Sequence, residues 1–160
     1  MSNQNKKGQK KVALKLKSPH AASFMPLVES HAARNEFNEV LKARVEKACT
    51  FLDADVPLYP NDFKKETDIK ELLDGFGLLS GDELAELDRE FVVAGRIVSL
   101  RSFGKVTFFH IADQSKRMQF YASRDGLGSE AYSMFKKLDI GDIVGVRGTL
   151  FRTKTDEFTL

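Results

Sequence analysis

The side chains best suited to chemistry lie in two neighbouring segments with strand-like alternation. Successive side chains of a strand point to opposite faces of the sheet. In residues 106–111, Phe109 and Ile111 fall on one face and Phe108 on the other. In residues 117–122, Phe120 falls on the apolar face. Arg101 ends the preceding strand, beside these two segments. The outward face of the three strands is therefore predicted to carry Arg101, Phe108, His110, Arg117, Gln119 and Tyr121.

This outward-facing set suits a single-stranded nucleic acid. An exposed aromatic ring stacks on an unpaired base, and neighbouring arginine and amide groups read the edge of that base. A second interpretation is equally open at this point, because isolated exposed apolar residues are common. Under it, Phe108 packs beneath a loop or against the N-terminal helices, and Arg101 is an ordinary surface charge.

The sequence contains no pattern typical of catalysis or metal binding. The three histidines, His20, His31 and His110, are far apart, and Cys49 is the only cysteine. No phosphate-binding glycine loop or nucleophile motif is present. The acidic residues between 82 and 90 are interpreted as a solvated helix face. The residues alone therefore predict no catalytic group, no metal ligand and no cofactor.

The net charge of +2 conceals a strong segregation along the chain. Residues 1–28 hold six lysines and no acid, residues 29–90 hold 8 basic and 16 acidic residues, and residues 91–160 hold 11 basic and 7 acidic residues. Basic segments at both ends favour a polyanionic partner. No apolar run is long enough to span a bilayer, and no signal core is present, so we expect no membrane and a cytoplasmic setting.

The order of elements predicts a mainly β fold with N-terminal α-helices. We expect residues 1–33 to be a basic, disordered extension, residues 34–90 a helical segment with a linker, and residues 91–160 a small barrel. Helices are expected over 34–53, after Thr67 as an N-cap, and from Ser80. The barrel segments are expected at 91–101, 106–111, 117–122, 143–151 and 157–160, with a helix over 128–138. This β-β-β-α-β-β order is that of the five-stranded OB-fold, and we expect strand five to be truncated at Leu160.

Several stretches resemble a known family. Residues 93–97, followed by Arg101, Gly104-Lys105, Phe108 and Met118-Gln119, are similar to the anticodon-binding OB domain of class II aminoacyl-tRNA synthetases. Residues 135–145 and 148–155, with 59–63 upstream, narrow the resemblance to lysyl-tRNA synthetases. It covers roughly residues 34–160. The chain departs from the family where Ser115-Lys116 follows Asp113 and where Asp156 replaces a usual glycine.

The resemblance implies a role for four residues. A uracil at the centre of the lysine anticodon would stack on Phe108, and Arg101, Gln119 and Glu157 would read its edge. The implied partner is tRNA, through its lysine anticodon loop. The implied parent is a homodimeric lysine–tRNA ligase that uses ATP and Mg²⁺. The chain would be its N-terminal fragment, without the catalytic domain and inactive alone.

Two other hypotheses remain beside the resemblance. The chain could be a free-standing OB-fold protein that binds single-stranded nucleic acid without tRNA specificity. It could also be a degenerate interaction module whose barrel face packs on another protein. Preference for a U-rich anticodon loop over random single strands separates the first hypothesis from anticodon binding. Absence of any salt-dependent RNA binding would identify the second, the interaction module.

Overall fold

A computed structural model describes residues 39–60 and 62–160 of the chain. The chain divides into two units at Pro60. In the first unit, helix α1 (Glu39–Leu52) buries residues at steps of four and three, namely Val45, Cys49 and Leu52. This spacing forms the apolar stripe of an amphipathic helix. The predicted helix is therefore confirmed from residue 39 onward, while its first residues and the predicted extension lie outside the described residues. Within the described residues, no helix has the length and apolar character needed to cross a membrane.

The second unit begins with two short helices that belong to the core of the sheet domain. They are α2 (Ile69–Phe76) and α3 (Gly81–Ala85). Their residues Ile69, Leu72 and Leu84 are buried in one cluster with the sheet. Ser80 caps α3 by accepting from the backbone N–H of Glu83 at 3.3 Å, as its sequence predicts.

The cap of α2 differs from the prediction. The N-cap is Asp68, whose backbone N–H donates to the Glu71 carboxylate at 3.0 Å, and not Thr67. Thr67 donates its hydroxyl to the same carboxylate at 2.8 Å. Both residue types can cap a helix, and the capping-box spacing to Glu71 favours Asp68.

One sheet forms the body of the second unit. Its strands are β1 (Phe91–Phe103), β2 (Val106–Ala112), β3 (Arg117–Ser123), β4 (Ile143–Gly148), β5 (Phe151–Arg152) and β6 (Phe158–Thr159). Their order in the sheet is β4-β1-β2-β3-β6-β5. All pairs are antiparallel except β3 with β6, which run parallel. The mainly β fold with this connectivity confirms the predicted OB-type plan.

The predicted fourth strand is interrupted. Residues 143–148 pair with β1 at one edge of the sheet, whereas Phe151 and Arg152 pair with β6 at the other. The prediction of a continuous strand from 143 to 151 was therefore wrong. Residues 149 and 150 carry the chain from one edge to the other, and the side chain of Leu150 is buried in the core. An apolar run cannot reveal such a break, because the buried residue continues the strand-like pattern.

Strand β1 contains a bulge that determines which side chains face outward. Ile97 pairs with Ile111, but Ser99 pairs with His110, so Val98 is the extra residue. Strict alternation would place Arg101 on the same face as the buried Ile97. The bulge reverses the facing, so that Leu100 packs on the core and Arg101 is exposed.

The inner face of the sheet forms the core together with a helix that follows β3. The short helix α4 (Arg124–Leu127) leads into α5 (Ser129–Phe135), which ends three residues before the predicted end at Leu138. The ring of Phe135 lies 5.1 Å from that of Phe109. The Tyr132 hydroxyl lies 2.9 Å from the hydroxyl of buried Thr107, which satisfies both polar groups.

Glycines permit two close contacts in the sheet. A Cβ at Gly95 would lie 2.6 Å from the carbonyl oxygen of Ala112, so β1 and β2 approach closely at this glycine. A Cβ at Gly145 would clash with the ring of Phe63. The linker therefore packs an aromatic ring directly on the backbone of β4.

Candidate nucleic-acid interface

A cleft of about 230 Å³ lies on the outer face of β1, β2 and β3, beside the hairpin that joins β5 to β6. All four residues singled out in the sequence, Arg101, Phe108, Gln119 and Glu157, line it. The other residues that line it are Ser99, Phe103, His110, Thr153 and Thr155. The fold therefore gathers into one cleft residues that are up to 58 positions apart in sequence.

Phe108 lies at the centre of strand β2 and on its outer face. It pairs with Arg101 on one side and with Tyr121 on the other. Its ring lies 5.1 Å from the Tyr121 ring at 54°, and Tyr121 in turn contacts Phe151 at 5.8 Å. These edge and tilted contacts fix the orientation of the Phe108 ring, which is half-buried and lines the cleft.

The side-chain amide of Gln119 is oriented by a chain of hydrogen bonds. The hydroxyl of buried Thr159 donates to the carbonyl of Glu157 at 3.1 Å. Its oxygen therefore accepts from the amide nitrogen of Gln119, at 2.9 Å. This arrangement leaves the Gln119 amide oxygen as an acceptor within the cleft.

The two charged residues of the site stand at opposite sides of the cleft. Arg101 comes from β1 and Glu157 from the β5–β6 hairpin, and both are exposed. Within the described residues, neither has an ion-pair partner within 4.0 Å. A guanidinium and a carboxylate without partners are available to bind a polar ligand.

The hairpin that carries Glu157 is held by backbone geometry. Thr153 and Glu157 exchange two hydrogen bonds: the Thr153 N–H donates to the Glu157 carbonyl, and the Glu157 N–H donates to the Thr153 hydroxyl, each at 3.1 Å. Asp156 lies between them with a φ of 62°. Aspartate tolerates this left-handed conformation better than most residues. The turn is therefore formed although the family's usual glycine is replaced.

Arg152 anchors this hairpin to the chain between α2 and α3. Its guanidinium donates to the carbonyls of Gly77 at 2.5 Å, Leu79 at 2.9 Å and Asp156 at 2.8 Å. It also lies 5.9 Å from the centre of the Phe158 ring. The guanidinium is one rigid donor group that binds carbonyls of both the hairpin and the loop before α3. The position of Glu157, next to Asp156, therefore depends on that loop.

His110 also lies in the cleft, on the outer face where the alternation of β2 predicts it. Its Nδ1 atom is 2.8 Å from the Ser99 hydroxyl. Burial and the neighbouring cation of Arg117 lower the pKa of His110, with a smaller contribution from Arg101 and an opposing one from Glu157. The lowered pKa favours the neutral imidazole, which forms a polar side wall of the cleft.

Comparison with known proteins agrees with this geometry. Residues 91–160 match the tRNA anticodon family, described as an OB-fold nucleic acid binding domain. This part of the chain belongs to that family. The OB domain thus comprises the whole sheet with α4 and α5, and it supplies every residue that lines the cleft.

The chain is also similar to curated lysine–tRNA ligases. It is 40% identical to that of Carboxydothermus hydrogenoformans over 125 residues, which cover 78% of this chain and 24% of that protein. It is 44% identical to the ligase of Dechloromonas aromatica over 102 residues, 64% of this chain and 20% of the other. It is 41% identical to the ligase of Pectobacterium atrosepticum over 126 residues, which cover 78% of this chain and 25% of that protein. The expected similarity to lysyl-tRNA synthetases is confirmed, and the chain spans about a quarter of the length of these relatives.

Proposed function

We propose that the OB domain binds the anticodon loop of a lysine tRNA and reads its central uracil in the cleft. The observation that supports this most directly is the convergence of Phe108, Gln119, Arg101 and Glu157 on one cleft of an anticodon-family OB domain. A ring beside polar groups that accept and donate hydrogen bonds is what recognition of an unstacked base requires.

Gln119 provides a physical basis for choosing uracil over cytosine. The Watson–Crick edge of uracil presents one N–H donor between two carbonyl oxygens, whereas cytosine presents an unprotonated nitrogen at the same place. The orientation of the Gln119 amide leaves its oxygen free to accept from the uracil N–H. With cytosine, the Gln119 amide oxygen would face the unprotonated ring nitrogen, which is also an acceptor. We therefore expect cytosine to bind less tightly than uracil by about 1–3 kcal/mol.

The two charges complete the proposed reading of the base. The Arg101 guanidinium can donate to a uracil carbonyl oxygen above the Phe108 ring, since the two residues pair across β1 and β2. The Glu157 carboxylate can only accept, so it suits a base N–H or a ribose hydroxyl at the other side of the cleft. Because ribose carries the 2′-hydroxyl, this contact would also favour RNA over DNA.

We further propose that the domain serves a lysine–tRNA ligase in the cytoplasm, which acts as a homodimer and uses ATP and Mg²⁺. The similarity to lysine–tRNA ligases supports the parent activity. Among the described residues, no group of acidic, histidine or cysteine side chains could hold a metal ion. No described residue is assigned to ATP or Mg²⁺. The match of residues 91–160 to an OB-fold nucleic acid binding domain supports assigning this domain to tRNA selection.

The test is binding of the 160-residue chain to anticodon stem-loops that differ only at the central base. We expect the loop with central uracil to bind tighter than the loop with central cytosine. Gln119→Ala should remove most of this preference while leaving much of the total affinity, because stacking and phosphate contacts remain.

Gln114→Ala is the matched control, since Gln114 is an exposed amide in the turn between β2 and β3 and does not line the cleft. It should leave both affinities unchanged. Equal binding of the two loops by the unmodified chain would contradict anticodon reading. If random single strands bound equally well, a general single-strand-binding protein would be the better description.

A further inference from the structure

Phe103 is an aromatic residue of the cleft to which the proposed reading of the central base gives no role. It ends strand β1 at the tip of the β1–β2 hairpin, and its side chain is 62% exposed. Gly104, with a φ of 61°, follows it and makes the tight turn. A large apolar side chain at the tip of a hairpin gains little from folding, because most of its surface stays in water.

The ring of Phe103 has no partner ring in the described part of the chain. The aromatic contacts there join Phe108 to Tyr121, Tyr121 to Phe151, and other rings within the core. The residue opposite Phe103 is Val106, which is half-buried. One face of the ring is therefore available to a ligand without any rearrangement of the core.

The position of Phe103 relates it to the base proposed to stack on Phe108. Phe103 lies two residues beyond Arg101 on the same face of β1, and Arg101 pairs directly with Phe108. Two residues along a strand correspond to about 6.8 Å. Diagonal neighbours across a pair of strands are about 7–8 Å apart, which is within reach of aromatic side chains. Phe103 therefore stands beside the site of the central base, displaced along the strand toward the hairpin tip.

We propose that Phe103 is a second stacking residue, on which the nucleotide adjacent to the central base stacks. This inference rests on the proposed function and extends it from one base to two. The groups around Phe103 favour stacking without reading of the base edge: Gly104 has no side chain, and the Ser102 hydroxyl is 2.9 Å from that of Thr107. We therefore expect tolerance of any base at this position, since every base has a stacking face.

The experiment measures binding of the full 160-residue chain to an anticodon stem-loop with three uracils. Phe103→Ala should weaken binding by about 5- to 100-fold, the range expected for the loss of one stacked base. Phe103→Trp should preserve or improve affinity, and Phe103→Leu should lose most of it, since leucine keeps the apolar surface but not the aromatic face. Leu78→Ala is the matched control, because Leu78 is a 99% exposed apolar residue of the same unit outside the cleft.

Stem-loops with an abasic site identify the nucleotide. With the first or the third anticodon base removed, one of the two RNAs should bind Phe103→Ala and the unmodified chain equally well. Phe108→Ala should still weaken binding to that same RNA. Equal effects of Phe103→Ala and Leu78→Ala would overturn the inference.

Two further outcomes separate this inference from the proposed function. If the effect of Phe103→Ala disappeared only when the central base was abasic, both rings would hold the same base, and the second nucleotide site would be wrong. If the unmodified chain bound the stem-loop no better than random RNA, the proposed function would be wrong. The inference about Phe103 would then be wrong as well, because it rests on that function. Thermal unfolding of Phe103→Ala should match the unmodified chain, which excludes misfolding as the cause.

Discussion

The two faces of strands β2 and β3 carry the same kinds of side chain in different surroundings. On the inner face, Phe109 and Phe120 are at most 2% exposed and contact each other at 5.7 Å. On the outer face, Phe108 and Tyr121 contact each other at 5.1 Å but remain half-exposed beside polar groups. Similar ring pairs thus stabilise the fold on one face and leave aromatic surface for a ligand on the other. Burial, and not residue type, separates the two roles.

Truncating the neighbouring phenylalanines one at a time tests the different roles of the two faces most directly. Phe109→Ala should lower the free energy of unfolding by about 3–5 kcal/mol, because it opens a cavity in the core. Phe108→Ala should lower it by much less, but should weaken stem-loop binding by about 1–3 kcal/mol. Chemical denaturation and RNA titration of both variants give the four values. A large loss of stability from Phe108→Ala, with little from Phe109→Ala, would mean that the two faces are assigned the wrong way round.

The inner face also depends on α2, which is tied to the end of β2 by Asp113. Burial alone would raise the pKa of Asp113, but hydrogen bonds from the Ile69 N–H and from Ser115 and Lys116 outweigh it and lower the pKa to about 2. A carboxyl whose pKa is lowered on folding stabilises the protein above its unfolded value near 4. This stability should be lost as the pH falls from about 4 to about 2.

The variant Asp113→Asn tests how much this carboxylate contributes to stability. Allowing for solvent screening of a half-buried group, we expect a loss of about 1 kcal/mol at pH 7 and a flatter acid limb of the stability profile. Asp125→Asn, at an exposed position in α4, is the control and should leave the profile unchanged. An unchanged acid limb in Asp113→Asn would show that α2 is held without this carboxylate.

Much of the outer face could be predicted from the sequence, because period-two alternation is strict within β2 and β3. Phe109, Ile111 and Phe120 are buried as predicted, and Phe108 and Gln119 line the cleft. The resemblance to the synthetase family added Glu157, which the alternation of β2 and β3 does not reach, because the residue lies in the β5–β6 hairpin.

Other features depend on contacts that the sequence does not encode locally. Arg101 faces the cleft only because the bulge at Val98 reverses the alternation of β1. The interruption after Gly148 depends on pairing with two strands at opposite edges of the sheet. Ser115 departs from the family's turn, but its hydroxyl donates to Asp113 and accepts from the Lys70 N–H, which joins the turn to α2. Long-range pairing determines all three features.

The smallest expected effect concerns Asp156, where the outer site relies on backbone conformation instead of side-chain packing. Glycine adopts the left-handed region without the penalty of about 1–2 kcal/mol that a side chain brings, and aspartate pays only part of that penalty. Asp156→Gly also removes a carboxylate oxygen 3.5 Å from the Arg152 Nε atom and adds freedom to the unfolded chain. These opposing changes should leave the free energy of unfolding within about 1 kcal/mol of the unmodified chain. RNA affinity should also be preserved, because the Asp156 backbone carbonyl that accepts from Arg152 is retained.

Asp156→Ala should be about 1 kcal/mol less stable than Asp156→Gly, since it keeps the steric penalty without the polar side chain. If Asp156→Gly retained stability but lost RNA binding, the Asp156 carboxylate itself would contribute to the site, and the outer face would extend beyond the cleft described above.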